Sequence, residues 1–246
     1  MFANPKPEPH QTARPALAPP NERKTRRIIN RDDMSKSVLD LQNDCLNHSI
    51  PCSQLLLKAY AIARKLHIEK MISFCKKEMD GYQSNPDTVP IYRKICIDLQ
   101  VNNGRQWHSV VVPKNSYISC HDVWQSIKEL EILCSEKKAA FQVKLTTEQI
   151  DLLRKVCNRA NIYEGAKVVS TYQLEGIVYR IRRIILEWAL KLGEDGIWGE
   201  NLEFSKDEQE KAKNIPSIQI IINGNVSSSN IAGELNDSNS NIQTQG

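Results

Sequence analysis

A thiol and an imidazole stand side by side at Cys120-His121, and a cysteine nucleophile needs a base within hydrogen-bond reach. Adjacent residues on an extended chain or a helix start point apart, so adjacency alone does not build that pair. Asp122 followed by Glu136-Lys137-Lys138 supplies the acid and the E-x-K of a nuclease. That set needs the E-x-K on a strand beside the acid, whereas the periodicity here predicts a helix end. His48, His67 and His108 show no spacing that gathers metal ligands. The chain holds no G-x-x-x-x-G-K-[ST] phosphate loop, no G-x-G-x-x-G turn and no H-E-x-x-H helix. No catalytic residue, metal site or cofactor is assigned on these grounds.

Two other groups carry more weight. Arg180 and Arg183 share one face of a predicted helix with Arg182 at its edge, and such a face grips phosphates or pairs with carboxylates of its own domain. With Tyr82, Tyr92 and Arg93, which flank a predicted hairpin, they form a candidate pocket for a nucleotide, a phosphorylated signal or a partner. Pro90-Ile91-Tyr92 suits a rigid loop packed on the core equally well. The second group is C-terminal: Ile218, Ile220, Ile221 and Ile222 lead into Asn223 and Asn225 in an Asn- and Ser-rich tail. Aligned aliphatic side chains and Asn ladders stack copies of a chain, which makes these residues the candidate self-association strand. The same segment also suits an edge strand of the domain's own sheet, or an unordered appendage.

The elements that must position these residues are mostly helical. Leu174, Ile177, Ile181, Ile184, Trp188 and Leu192 recur every three or four residues and predict a long helix with one buried face. At roughly 1.5–3 kcal/mol each, those six side chains supply about ten kcal/mol toward one core. Val38, Leu41, Cys45 and Leu46 line a first helix, and Leu56, Ala59, Tyr60, Ala63 and Leu66 a second, with Ser53 as its N-cap. A third, about 68–80, buries Met71, Ile72, Cys75 and Met79 and stops at Gly81. The period then changes to two. Ile95, Ile97, Leu99 and Val101 alternate with polar residues, as do Trp107, Ser109 and Val111, and Asn103-Gly104 between them suits a type I′ turn. A hairpin over about 93–112 follows, with a third strand at 141–145 completing a small antiparallel sheet. A helix over about 122–134 carries Val123, Ile127 and Leu130, and Thr146-x-x-Gln149 has capping-box spacing before Ile150, Leu153 and Val156. The expected class is α+β, predominantly helical, with the sheet packed on helices.

Composition adds limits. Residues 1–33 are Pro-rich and basic, with six of the eleven prolines in the first twenty positions, and read as a disordered leader. Residues 34–213 form the domain and 214–246 a low-complexity tail. Of the 33 Lys/Arg and 29 Asp/Glu, the 180 residues of the domain carry 26 and 23, too even a balance for a dedicated nucleic-acid binder. No apolar run reaches membrane-spanning length, no cleavable signal opens the chain, and seven scattered cysteines without a C-x-x-C pair fit buried thiols in a reducing, cytoplasmic setting.

In order along the chain, SVLDLQNDCL (37–46), LLLKAYAIARKL (55–66), KEMDGY (77–82), VPIYRK (89–94), QSIKELE (125–131), LEGI, LEWAL, GIWGE and LEFSKDE resemble the AbiTii-type domain of bacterial abortive-infection systems. Met34 stands three residues before the first of these pieces, so translation from it would yield the domain without its leader. The resemblance implies a role in phage defence and brings no established catalytic residues. Helical RNases of the HEPN type need an arginine four to six residues before a histidine. Here Arg64 and His67, and Arg105 and His108, are each three apart. Two classes of function follow. One is a non-enzymatic sensor or adaptor whose tail joins copies into a homo-oligomer or recruits an effector protein in response to a phage-derived trigger. The other is a growth-arresting enzyme acting on nucleic acid through a dispersed site.

Overall fold

The computed structural model describes residues 35–82, 89–112 and 117–215. The leader and the tail, including Ile218, Ile220, Ile221, Ile222, Asn223 and Asn225, lie outside the described residues. Three helices come first, α1 (Ser37–Leu46), α2 (Cys52–Lys65) and α3 (Glu69–Asp80). A 3-10 turn, Ile91–Arg93, leads to β1 (Lys94–Cys96), β2 (Asp98–Asn102), β3 (Trp107–Val110) and β4 (Cys120–Asp122). Then follow α4 (Ile127–Ser135), β5 (Ala140–Lys144), α5 (Thr147–Cys157), β6 (Glu164–Ser170), α6 (Thr171–Glu194) and α7 (Lys206–Ala212). The class is α+β and mainly helical. A four-stranded antiparallel sheet runs in the order β3-β2-β6-β5, and β1 pairs with β4 in a separate two-stranded sheet.

α6 is the spine. All six residues of its predicted apolar face are buried and pack with α1, α2, α3 and α4 in the main core. It starts directly on the end of β6, where Ser170 and Gln173 form a capping box that satisfies the orphan amides of the first turn. A smaller core lies between the sheet and α5, built from Leu99, Val101, Ile118, Leu145, Leu153 and Ile162.

Several expectations need correction. The third strand, β5, does not pair with the hairpin, because β6 lies between β5 and β2. β6 reads EGAKVVS and lacks clean alternation. Its Gly165 makes room for a neighbour, since a Cβ there would sit 2.6 Å from Leu145 Cδ1 and that side chain would have to shift. The long first strand breaks at Ile97, whose N–H donates to the Ser119 carbonyl, so its first half joins β4 instead of β3. The hairpin loop has four residues and is not type I′: Gly104 has φ 87° but Asn103 has no positive φ, and the Asn103 side chain accepts from the amides of Arg105 and Gln106. α4 starts at Ile127 behind a Ser126–Glu129 capping box, which leaves Asp122 on a strand. α2 starts at Cys52 after Pro51, and Ser53 is inside it, not its N-cap. Leu46 and Val156, expected inward, are exposed.

The GIWGE segment closes the domain on α1. The carbonyls of Gly199 and Trp198 accept from the amides of Ser37 and Val38 at 3.0 Å each, which caps the start of α1. The loop is held from behind by Glu208 on α7, whose Oε1 accepts the amides of Trp198 and Gly199 at 2.9 and 3.0 Å. Burial works against this carboxylate's charge, but the amides it accepts, with those of Ser205, win and keep it below the usual carboxylate range.

Two outcomes follow. A group whose folded pKa is depressed contributes stability above its unfolded pKa and loses it as pH falls through the folded value. Glu208→Gln should therefore lower the melting temperature at pH 7, and the gap from wild type should narrow as the buffer is taken below the carboxylate range. The second outcome concerns two glycines. Gly81 has φ 82° and a Cβ there would lie 2.8 Å from the Trp124 carbonyl, whereas Gly176, inside α6, has open space around it. In urea denaturation Gly81→Ala should cost about 1–3 kcal/mol or more, while Gly176→Ala should gain about 0.5–1 kcal/mol.

Candidate functional site

The candidate pocket residues divide into three places. Tyr82, Tyr92 and Arg93 come together, around a residue that no motif signalled. Glu78, on the inner face of α3, is fully buried with Arg93, and their side chains form an ion pair. Arg93 Nε donates to Glu78 Oε2 at 3.1 Å, and Nη2 donates to the same oxygen. Tyr82 Oη donates to Oε1 at 2.5 Å, and Tyr92 Oη donates to it as well. Arg93 Nη1 spans the carbonyls of Val123 at 3.0 Å and Gln125 at 2.7 Å. The Arg93 guanidinium lies 5.0 Å from the Tyr82 ring centroid, within cation–π range. Burial, then the Glu78 charge, pushes both phenols far up, so they stay protonated donors. Burial opposes the Arg93 charge, and the Glu78 carboxylate more than restores it. Every polar atom of this cluster faces another in the domain.

Arg182 is elsewhere and is not on the edge of the polar face: it is buried. Its Nη1 donates to the carbonyls of Cys45 at 3.2 Å and Asn47 at 3.1 Å, and its Nη2 to that of Ile50. It thus collects the orphan carbonyls at the C-terminal end of α1, where a cation is favoured. Arg180 and Arg183 remain on the outer face. Arg183 pairs with Glu187 one turn on at 3.4 Å. Burial, then the like charge of Arg183, lowers the pKa of Arg180, against the attraction of Glu187 and Tyr92. The Nε–H groups of Arg180 and Arg183 are buried and donate no hydrogen bond, the Arg183–Glu187 contact being an ion pair without hydrogen-bond geometry.

The space that a ligand could enter is next to Arg182. A cavity of about 740 Å³ opens between the α1–α2 connection, α4 and α6. Its walls mix polar groups, among them His48, Lys128, Glu131 and Glu175, with Ile132, Val178 and Tyr179. Glu131 is structural as well, since it accepts the Ser53 amide at 3.0 Å and the Ser53 hydroxyl at 2.7 Å and so caps α2 from a distant element. A carboxylate far along the chain leaves no local signal at Ser53.

The other chemical candidates stay apart. Cys120 is exposed and His121 half-buried on successive positions of β4, so they face opposite sides of the strand. Burial, then Lys167, holds His121 below the usual imidazole range. Glu136 follows α4 and pairs with Lys138 at 2.7 Å, off any strand. Among the described residues no group of three or more His, Cys, Asp or Glu could hold a metal ion, and no helix is long and apolar enough to cross a membrane.

A family model for AbiTii matches residues 36–217. No curated protein and no solved structure gives a significant match.

The buried pair sets a measurable expectation. Arg93→Ala or Glu78→Ala, each of which leaves one buried partner unpaired, should cost about 3–5 kcal/mol. The double replacement should cost clearly less than the sum, as read from urea midpoints in a double-mutant cycle.

Proposed function

The chain belongs to the AbiTii family, and from that premise we propose that it acts in abortive infection, a phage-defence response, as a non-enzymatic sensor or adaptor. The observation that carries the reading is the cavity between the α1–α2 connection, α4 and α6. A molecule seated there meets carboxylates, an amine, a phenol and aliphatic carbons from separate elements of one core, the mixed lining that small-molecule and peptide sites share. Occupancy would be felt by α6, which packs against most other helices. The strongest buried polar groups, Glu78, Arg93 and Arg182, are bound within the domain, and this supports a body that recognises over one that breaks bonds. In this proposal the tail beginning near Ile218 gathers copies or recruits an effector once the cavity is filled.

Ile132 lines the cavity and is 52% exposed, so Ile132→Trp fills the space without disturbing the core. The variant should lose phage protection while keeping its melting temperature. A chain ended after Ser217 should show a lower mass than the whole chain in light scattering and should fail to protect. Equal masses would remove the tail from the mechanism. Growth arrest with nucleic-acid breakdown on expression of the intact chain alone would overturn the non-enzymatic reading.

A further inference from the structure

Cys96 and Cys120 are direct cross-strand partners in the β1–β4 pair. Hydrogen-bond parity fixes what kind of partners they are. Ile97 N–H donates to the Ser119 carbonyl, and Val123 N–H to that of Arg93, so the pairs 97/119, 95/121 and 93/123 are the hydrogen-bonded positions. Cys96 and Cys120 therefore form a non-hydrogen-bonded pair, the closer of the two types in an antiparallel ladder, with Cα atoms about 4.5 Å apart. A disulfide accepts Cα separations of about 4.4–6.8 Å. Directly opposed residues project to the same face, and both cysteines are exposed, with free thiols. The residues on the other face, Ile95 and His121, are half-buried, so the thiol face is the open one. The backbone under each thiol is anchored. Gln173 Nε2 donates to the Cys96 carbonyl, and Lys167 Nζ donates to the Cys120 carbonyl at 2.6 Å.

We infer that Cys96 and Cys120 are a redox-active dithiol that closes reversibly to a disulfide when the protein meets a hydroperoxide. The step balances as two thiols plus one hydroperoxide giving a disulfide, an alcohol and water. One thiolate attacks the peroxide oxygen and becomes a sulfenic acid as the O–O bond breaks and the alcohol leaves. The second thiol releases its proton and, as thiolate, attacks the sulfenic sulfur, and the hydroxide it displaces takes up that proton and departs as water. The two sulfurs lose two electrons together and the peroxide gains them. Cys45, Cys52 and Cys75 do not compete, because they are buried in the main core, and burial pushes the thiols of Cys45 and Cys75 up to about 12. The bond would staple β1 to β4 immediately beside Arg93, whose Nη1 holds the chain just beyond β4 at Val123 and Gln125.

The test uses the full chain, reduced, desalted, treated with hydrogen peroxide, quenched with N-ethylmaleimide and digested with trypsin. Cys96 and Cys120 fall in separate tryptic peptides, 95–105 and 115–128, each with a single cysteine. The expected product is those two peptides joined, two hydrogens lighter than their sum and released by dithiothreitol. In glutathione buffers of graded potential both thiols should disappear in one two-electron transition, and in Cys120→Ser, Cys96 should be recovered alkylated or as a glutathione adduct, never bridged within the chain. Separate glutathione adducts on the two wild-type cysteines, a bridge from either to another cysteine or another copy, or no joined peptide at the most oxidising poise would each overturn the inference.

Discussion

The buried ion pair of Glu78 and Arg93 is the constraint on which the middle of the domain depends. Both side chains are completely excluded from solvent, and a charge in that position is tolerable only when it is paired and its remaining hydrogen-bonding capacity is filled. The domain meets that condition with elements from three parts of the chain. α3 contributes Glu78, the 3-10 turn contributes Tyr92 and Arg93, and the β4–α4 connection contributes two carbonyls. The glycine at position 81 belongs to the same constraint. Tyr82 N–H must reach the Trp124 carbonyl, which it does at 2.8 Å, and that approach leaves no room for a Cβ on the preceding residue. Buried polar networks of this kind specify one arrangement because every partial arrangement leaves a charge or a phenol unsatisfied.

A second closure joins the ends of the domain. α1 and the end of α6 lie side by side, and Gln42 Nε2 donates to the Ala189 carbonyl at 2.8 Å. The GIWGE loop then supplies the carbonyls that the first turn of α1 lacks, and the Ser37 hydroxyl returns a contact to the Leu202 amide at 2.8 Å. Gly199 has φ 60°, and a Cβ there would enter the Phe204 ring, so the close turn and the ring that packs on it are possible only together. The motif thus has a backbone explanation that needs no chemistry from its side chains.

What could be read along the chain was what local rules encode. The apolar face of α6 and the capping box at Thr146–Gln149 each depend on residues within one or two turns, where periodicity and cap chemistry act. Gly81 does end α3, but with φ 82° and ψ 176°, outside the left-handed helical region. What escaped depended on partners far away. Ser53 looks like a cap until Glu131 takes its amide, and residues 94–102 alternate like one strand, although Ile97 is claimed by Ser119. β6 is central in its sheet yet carries Gly165, Ala166 and Lys167, because small residues let neighbours approach and the lysine reaches a carbonyl outside the sheet. Glu78 was silent for the same reason: a single acidic residue on a helix looks solvated until a buried arginine arrives from fifteen residues on.

The arginines show how this bears on function. Four were candidates for gripping a phosphate, and two of them, Arg93 and Arg182, have their Nη groups turned onto carbonyls inside the domain. A guanidinium committed to several fixed acceptors cannot turn to a ligand without abandoning them, and in a buried setting that exchange is unfavourable. Arg180 and Arg183 lie on the outer face of α6, where burial and then the charge of Arg183 lower the pKa of Arg180 and Glu187 pairs with Arg183. By sequence the domain carries 26 Lys/Arg against 23 Asp/Glu, a balance that gives counterion release little overall charge to draw on. If the domain is a sensor, recognition would rest on the shape and mixed polarity of the cavity more than on charge alone. A trigger that fits there would be selected by hydrogen bonds to Glu131 and Glu175 and by contact with Ile132 and Tyr179, and mismatched polar groups would be left unpaired against those walls.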